Sequence, residues 1–321
     1  MNGDNDLPIE TEQQQALKNS NISKIKGSIY LILTAVIWGS GFVAQSLGED
    51  NVPAFTFSAY RTLVGVAALL VLILIKEKIQ YRNVTEKPPL FDRKVLKYGA
   101  ILGVVYFAAQ NLQQAAFSYS TAGKIAFITA LYMFFVPLIG SVFGKRVSLL
   151  TWMCVLTGFV GLYFLTIDPD SALSINRGDA LAFGCAIFYA IQILLIEKYA
   201  SDVDAIKLSF TQFAASGVLT FLAMFIFEKP EIAAVKAAAL PILYAGLMST
   251  GVAYTLQMVG QKYVESTVAS LLMCMESVFA VLFAALLLHE KMSGREAAGC
   301  AIMFAAIIVS QFAGMTKKER G

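Results

Sequence analysis

Residues Leu271 to Phe283 read LLMCMESVFAVLF, and one carboxylate, Glu276, interrupts them. The apolar run around it extends from about Val264 to Leu288. Glu276 lies roughly ten residues from either end, so at ~1.5 Å per helical residue it sits about 15 Å deep. That depth is near the midplane of a bilayer whose hydrocarbon core is ~30 Å thick. A charge there costs on the order of 3 kcal/mol by insertion scales. The rest of the chain should show a compensating reason.

Of 321 residues, 57% are hydrophobic and only 15% charged. Soluble domains carry roughly 25% charged residues. With many long apolar runs, this composition implies an all-α polytopic membrane protein. Ten apolar segments follow one another, with approximate cores at 27–47, 53–75, 97–117, 121–143, 147–167, 178–197, 205–227, 237–260, 265–288 and 293–313. Stretches such as GEDNVP, DPDSALSINRGD and HEKMSGRE separate them. The first segment follows 26 polar residues and lacks a small-residue cleavage site, so it reads as a retained helix rather than a signal peptide. Residues 1–26 read as a disordered tail and 314–321 as a second tail.

Charge placement tests this count. With the N-terminus in the cytoplasm, the inner tails and loops hold 18 Lys and Arg and the outer loops 6, with Arg61 inside the second segment. This bias supports ten spans with both termini cytoplasmic. The basic stretch from Lys76 to Lys97 is an orientation determinant and a candidate contact for anionic lipid.

The segments also repeat. GSIYLILTAVIWGSGFVAQSL from Gly27 aligns with GDALAFGCAIFYAIQILLIEK from Gly178, an offset of 151 that places Trp38 on Tyr189 and Arg61 on Gln212. YSTAGKIAFITALY from Tyr119 resembles YVESTVASLLMCMES from Tyr263, at an offset of 144 to 145. A repeat of five spans is odd, so the halves 27–167 and 178–313 enter the membrane in opposite senses. Inverted repeats put a substrate site near the midplane where the halves meet. Glu276 then has a reason to be deep, because it can carry a proton, bind a substrate ammonium or form a structural pair.

Several motifs carry a family resemblance: AVIWGSGFVA in the first segment, VPAFTFSAYRTLVGVAAL in the second, AFSYSTAGKIAFIT at the start of the fourth and LLMCMESVFAVLFAALLLHEKMS in the ninth. Together, in order, they resemble the EamA branch of the drug/metabolite transporter superfamily over about residues 27 to 313. The chain departs from the family pattern at Ser277, where the family has proline. It departs again at Gly144-Lys145 and His289-Glu290, which stand where the family has a Gly-Glu pair. The resemblance implies ten helices around a central cavity, with the fifth and tenth outside. It also implies export of amino acids or related metabolites across a bacterial-type inner membrane.

Helical spacing nominates the cavity faces. Trp38 and Phe42 share a face of the first segment with Thr34 and Gln45. Tyr106, Gln110 and Asn111 lie in the third beside Gln113 and Gln114, and Tyr132 in the fourth near Thr129. Tyr189 and Gln192 lie in the sixth, Tyr254 in the eighth in a stripe with Thr250, Gln257 and Gln261, and Glu276 in the ninth. The bland alternative is that amides join membrane helices by hydrogen bonds worth ~0.6 kcal/mol. Gln113, Gln114, Gln257 and Gln261 can instead meet water near helix ends. For Arg61 the alternatives are a structural snorkelling side chain and a partner for an anion. Lys124 and His289 read as interfacial.

Other functions fit less well. Cys154, Cys185, Cys274 and Cys300 lack CxxC spacing and read as buried apolar residues, with no metal site, cofactor or nucleic-acid motif. An intramembrane enzyme needs convergent catalytic groups, but the deep spans hold one acid and no histidine near it. Phosphorylated substrates need clusters of Arg or Lys, and one Arg is not a cluster. The expected function is a secondary transporter, with possible proton coupling, for a small organic metabolite. An importer or facilitator of a vitamin, purine or drug-like compound and a channel-like permease are the alternatives.

Overall fold

The computed structural model describes residues 9–82, 89–120, 122–166, 176–287 and 293–316. Within these it is helical, with no strand. In chain order the helices are α1 (Ile9–Glu49), α2 (Ala54–Gln80), α3 (Arg93–Ala116), α4 (Ala122–Thr129), α5 (Tyr132–Val142), α6 (Leu149–Thr166) and α7 (Arg177–Tyr199). They continue as α8 (Ala205–Phe227), α9 (Ile232–Ala237), α10 (Ala239–Tyr244), a π-helical segment (Ala245–Ala253), α11 (Tyr254–Gln261), α12 (Ser266–Met273), α13 (Met275–Leu287) and α14 (Gly294–Thr316). Eight spans are long and apolar enough to cross a membrane, and Leu149–Leu165 is a shorter apolar helix.

Burial is inverted relative to a soluble protein. Phe225, Ile226 and Phe227 are exposed, as are Leu63, Val71 and Leu74, while Gln45, Gln110, Gln192, Gln212 and Gln257 are buried. An apolar exterior over a hydrogen-bonded interior suits a surface solvated by lipid tails, where each internal polar group must find its partner within the protein.

Side chains cap the helix ends and fix where spans begin. The Asp92 carboxylate accepts from the Val95 amide at 2.8 Å, and Asp204 accepts from Ile206 and Lys207 at 2.9 and 3.1 Å. Asn176 and Asp179 form a reciprocal box at the start of α7. Glu228, just beyond α8, accepts from the Phe55 and Thr56 amides at 2.8 and 2.7 Å and so caps α2 from a different helix. Gly144, at φ 85°, ends α5 in the left-handed region while the Lys145 amide donates back to the Gly140 carbonyl at 2.9 Å.

Two features differ from the sequence reading. The expected disordered tail is helical from Ile9 onward, because TEQQQALK is composed largely of good helix formers. Three spans are also not continuous α-helices. The fourth breaks between Thr129 and Tyr132, the ninth at Cys274, and the eighth passes through the π-helical segment. At the first break the Met133 and Phe134 amides donate three residues back, to Ala130 and Leu131, and at the second Ser277 donates to Cys274. The ninth span thus breaks without the family proline, three residues before Ser277. His289 and Glu290 lie outside the described residues.

Close crossings recur at regular spacing. A Cβ added at Gly246 would sit 2.7 Å from the Arg61 carbonyl and 2.6 Å from the Val64 Cβ. One added at Gly103 would sit 2.7 Å from the Gln212 carbonyl and 2.6 Å from the Ala215 Cβ. Arg61 and Gln212, like Val64 and Ala215, are 151 residues apart. The two helix breaks also touch, with the Cys274 thiol 3.5 Å from the Ala130 carbonyl, 144 residues away. Apart from these, α6 packs against α14, where a Cβ at Gly161 would sit 2.9 Å from the Gly299 carbonyl.

Candidate functional site

A cavity lies where the broken spans meet α1, α2, α3 and α7. It contains about 440 Å³ of empty space, including the part open to solvent. Helix α1 contributes Trp38, Phe42 and Gln45, α2 contributes Arg61, and α3 contributes Gln113. Thr129 and Tyr132 flank the break in the fourth span, and Glu276 follows the break in the ninth. Helix α7 adds Tyr189, Gln192 and Ile193, while Ser249, Tyr254 and Gln257 come from the eighth span.

The aromatic side is tightly connected. Trp38 and Tyr254 lie 4.6 Å apart by ring centroids, and Tyr106 backs Tyr254 edge-on at 4.9 Å. Tyr254 donates to the Tyr189 hydroxyl at 3.2 Å, and Tyr189 donates to Gln113 Oε1 at 3.3 Å. These bonds fix the tyrosine rings as walls. The indole N–H of Trp38 has no hydrogen-bond partner among the described residues.

Two ionisable groups line the cavity. Glu276 is buried and accepts from the Tyr132 hydroxyl at 3.1 Å. Arg61 is 2% exposed; its Nη1 donates to Gln45 Oε1 at 2.9 Å and its Nη2 to the Tyr106 hydroxyl at 3.4 Å. No ion pair within 4.0 Å includes either group among the described residues. The fourth and ninth spans break close to Tyr132 and Glu276, and such interruptions are tolerated at membrane depth where they line a cavity.

Seven of the ten nominated residues line the cavity: Trp38, Phe42, Tyr132, Tyr189, Gln192, Tyr254 and Glu276. Tyr106, Gln110 and Asn111 do not. Tyr106 stands behind the wall. Gln110 donates to Thr62 of α2 at 3.3 Å, and Asn111 donates to Thr220 of α8 at 3.1 Å, so both join helices. The amides placed near water are buried instead. Gln114 donates to Glu49 at 3.1 Å and Gln261 to the Ile193 carbonyl at 2.9 Å, while Gln113 and Gln257 reach the cavity. Ser249 and Ile193 were absent from the sequence stripes. Ser249 shares the cavity face with Tyr254 five residues on, the spacing of a π turn rather than an α turn. Lys124 pairs with Asp179 at 2.7 Å, and no cluster of metal-ligating side chains occurs among the described residues.

Comparison with known proteins places this geometry. The model of the EamA-like transporter family matches residues 25–167 and again 176–312. An uncharacterized transporter of Archaeoglobus fulgidus is 30% identical over 295 residues, covering 90% of this chain and 86% of its own length. The uncharacterized transporter YoaV of Bacillus subtilis is 22% identical, covering 92% of this chain and 99% of its own length. A solved crystal structure superposes with a TM-score of 0.72 at 18% identity, covering 92% of this chain and 99% of that one, and shares its fold. The chain belongs to the EamA-like transporter family and is a multi-pass membrane transporter.

Proposed function

We propose that this chain is a secondary carrier for a small organic metabolite such as an amino acid, working by alternating access, with export as its direction. The observation that carries the reading is the cavity itself, where aromatic walls, amides and two ionisable side chains meet between interrupted helices. Interrupted helices at the junction of inverted repeats are how many secondary transporters build a midplane site.

Ten spans in two inverted halves form the scaffold we assign. Three observations support it: the family model matches each half separately, the residues that Gly246 and Gly103 press against lie 151 positions apart, and the breaks meet at an offset of 144. On this scaffold both termini face the cytoplasm. Ion pairs support the sorting of loops by side, because Lys207–Glu77 at 2.8 Å and Lys145–Glu197 at 2.5 Å each join loops assigned to one side. Proton coupling through Glu276 completes the reading.

Counterflow in proteoliposomes tests it, because exchange requires neither the coupling ion nor the direction. The panel is pooled amino acids, cationic drugs, purines, vitamins and sugars. We expect one pool to exchange with saturation. Flux that rises linearly with concentration would indicate a channel, and silence beside a working control carrier would overturn the carrier reading.

A further inference from the structure

Arg61 is a buried cation that meets no anion within 4.0 Å among the described residues. Its two bonded nitrogens hold neutral oxygens, those of Gln45 and Tyr106, and its Nε has no partner among the described residues. The side chain is 2% exposed, yet it lines the cavity. A buried charge without a counter-charge is strongly unfavourable. Packing alone does not demand it, because Gln212, 151 residues on, occupies the corresponding crossing as a neutral side chain whose Oε1 accepts a hydrogen bond from Gln192 at 3.2 Å. Glu276, the acid on the same cavity, is engaged with Tyr132 and not with Arg61.

We infer that Arg61 is the anion subsite of the cavity and that the transported molecule presents an organic carboxylate to it. The planar guanidinium has N–H groups to spare, and its fork matches a carboxylate. The hydroxyl of Tyr106, behind the wall, and the amide of Gln45, on the lining, hold the guanidinium in place. The remainder of the substrate lies against Trp38 and Tyr254, whose rings are 4.6 Å apart, and extends toward Glu276. A substrate carrying both a carboxylate and an amine would meet a cation and an acid on the same cavity lining. The inference rests on the carrier reading for its meaning, but not for its test.

The test is binding to the purified full-length protein in detergent, read as ligand-induced thermal stabilisation. The probes are matched pairs of carboxylates and their carboxamides with aromatic, branched and linear bodies, each with and without an α-amino group. Sodium sulfate and sodium chloride serve as inorganic arms. In the wild type we expect at least one carboxylate to bind ~10-fold or more tightly than its carboxamide, the loss of a charge-assisted bond. Arg61→Gln should remove that preference and Arg61→Lys should restore part of it. No carboxylate preference in the wild type overturns the inference, as does a preference that survives in folded Arg61→Gln. Equal stabilisation by sulfate or chloride would assign an inorganic anion and also overturn it. Should Arg61→Gln not fold, the wild-type pairs still decide. Carboxylate binding without counterflow would sink the carrier reading alone, and counterflow without carboxylate preference would sink this one alone.

Discussion

The two halves of the molecule place different chemistry on matching positions. Arg61 in the first half corresponds to Gln212 in the second, Trp38 to Tyr189, and Tyr132 to Glu276. The packing around the first pair is alike, since the carbonyls of Arg61 and Gln212 each receive a close glycine from another span. The side chains are not alike. Gln212 accepts from Gln192 and carries no charge, although its own Nε2 lacks a partner, whereas the charged Arg61 meets no acid among the described residues. Tyr132 and Glu276 meet each other at 3.1 Å, so the corresponding positions form one contact. A scaffold that accepts a neutral residue at one copy does not need a charge at the other. On the proposed carrier reading, the two charges serve what the cavity does rather than how the spans pack.

Replacing the acid with its neutral isostere should have the largest effect. Glu276→Gln keeps the shape and an acceptor for Tyr132 but cannot take up or release a proton. In proteoliposomes we expect substrate counterflow to continue while accumulation driven by an imposed pH gradient falls to the equilibrium level. Accumulation that persists in this variant would remove Glu276 from coupling. Protein that no longer folds would make the acid a packing residue and break the comparison at its central pair.

Much of this contrast was legible in the sequence, and the part that was not has a physical cause. Long apolar runs, the depth of Glu276 and the offsets near 151 and 144 all follow from composition and order. Side-chain direction in α3 did not. Gln110, Asn111, Gln113 and Gln114 lie within five residues, and at ~100° per helical residue they spread over an arc of about 160°, wide enough to meet different neighbours. They reach α2, α8, the cavity and α1 respectively. The breaks were equally hidden. Pro137 lies inside α5 without ending it, while the chain breaks at Ala130–Leu131, where no proline stands. Breaks of that kind depend on contacts from other spans, here the Cys274 thiol, which reaches the Ala130 carbonyl beside the Met133 amide. The π-helical segment likewise moved Ser249 onto the cavity face, which an α-helical period could not foresee.

The glycine crossings give a test of intermediate size, on stability rather than transport. Leucine at Gly246 must displace Val64 and the Arg61 carbonyl, and leucine at Gly103 must displace Ala215 and the Gln212 carbonyl. Overpacking of this kind costs about 1–3 kcal/mol. We expect similar losses from Gly246→Leu and Gly103→Leu in thermal unfolding in detergent. Gly294→Ala should change little, because no atom of the described residues lies within 4 Å of the added methyl. Similar losses at both crossings would strengthen the pairing of the halves. A loss at one crossing only would break it.

The smallest effect separates Trp38 from Tyr189, the aromatic pair at corresponding positions. Both line the cavity, but their polar atoms differ in commitment. The Tyr189 hydroxyl is already bonded to Gln113 and Tyr254, at 3.3 and 3.2 Å, whereas the Trp38 indole N–H has no partner among the described residues. Trp38 can therefore give a substrate both a ring face and a hydrogen bond, while Tyr189 gives mainly a wall. Trp38→Ala should weaken substrate binding by roughly tenfold, about 1.4 kcal/mol, and Tyr189→Ala by less, with expression unchanged in both. Trp38→Phe then isolates the indole N–H, since it keeps an aromatic ring against Tyr254. If Trp38→Phe binds like the wild type, the N–H is not used and the two positions act alike. Unchanged affinity in both alanine variants would take this aromatic wall out of the site and leave Arg61 and Glu276 to hold the substrate by its charged ends.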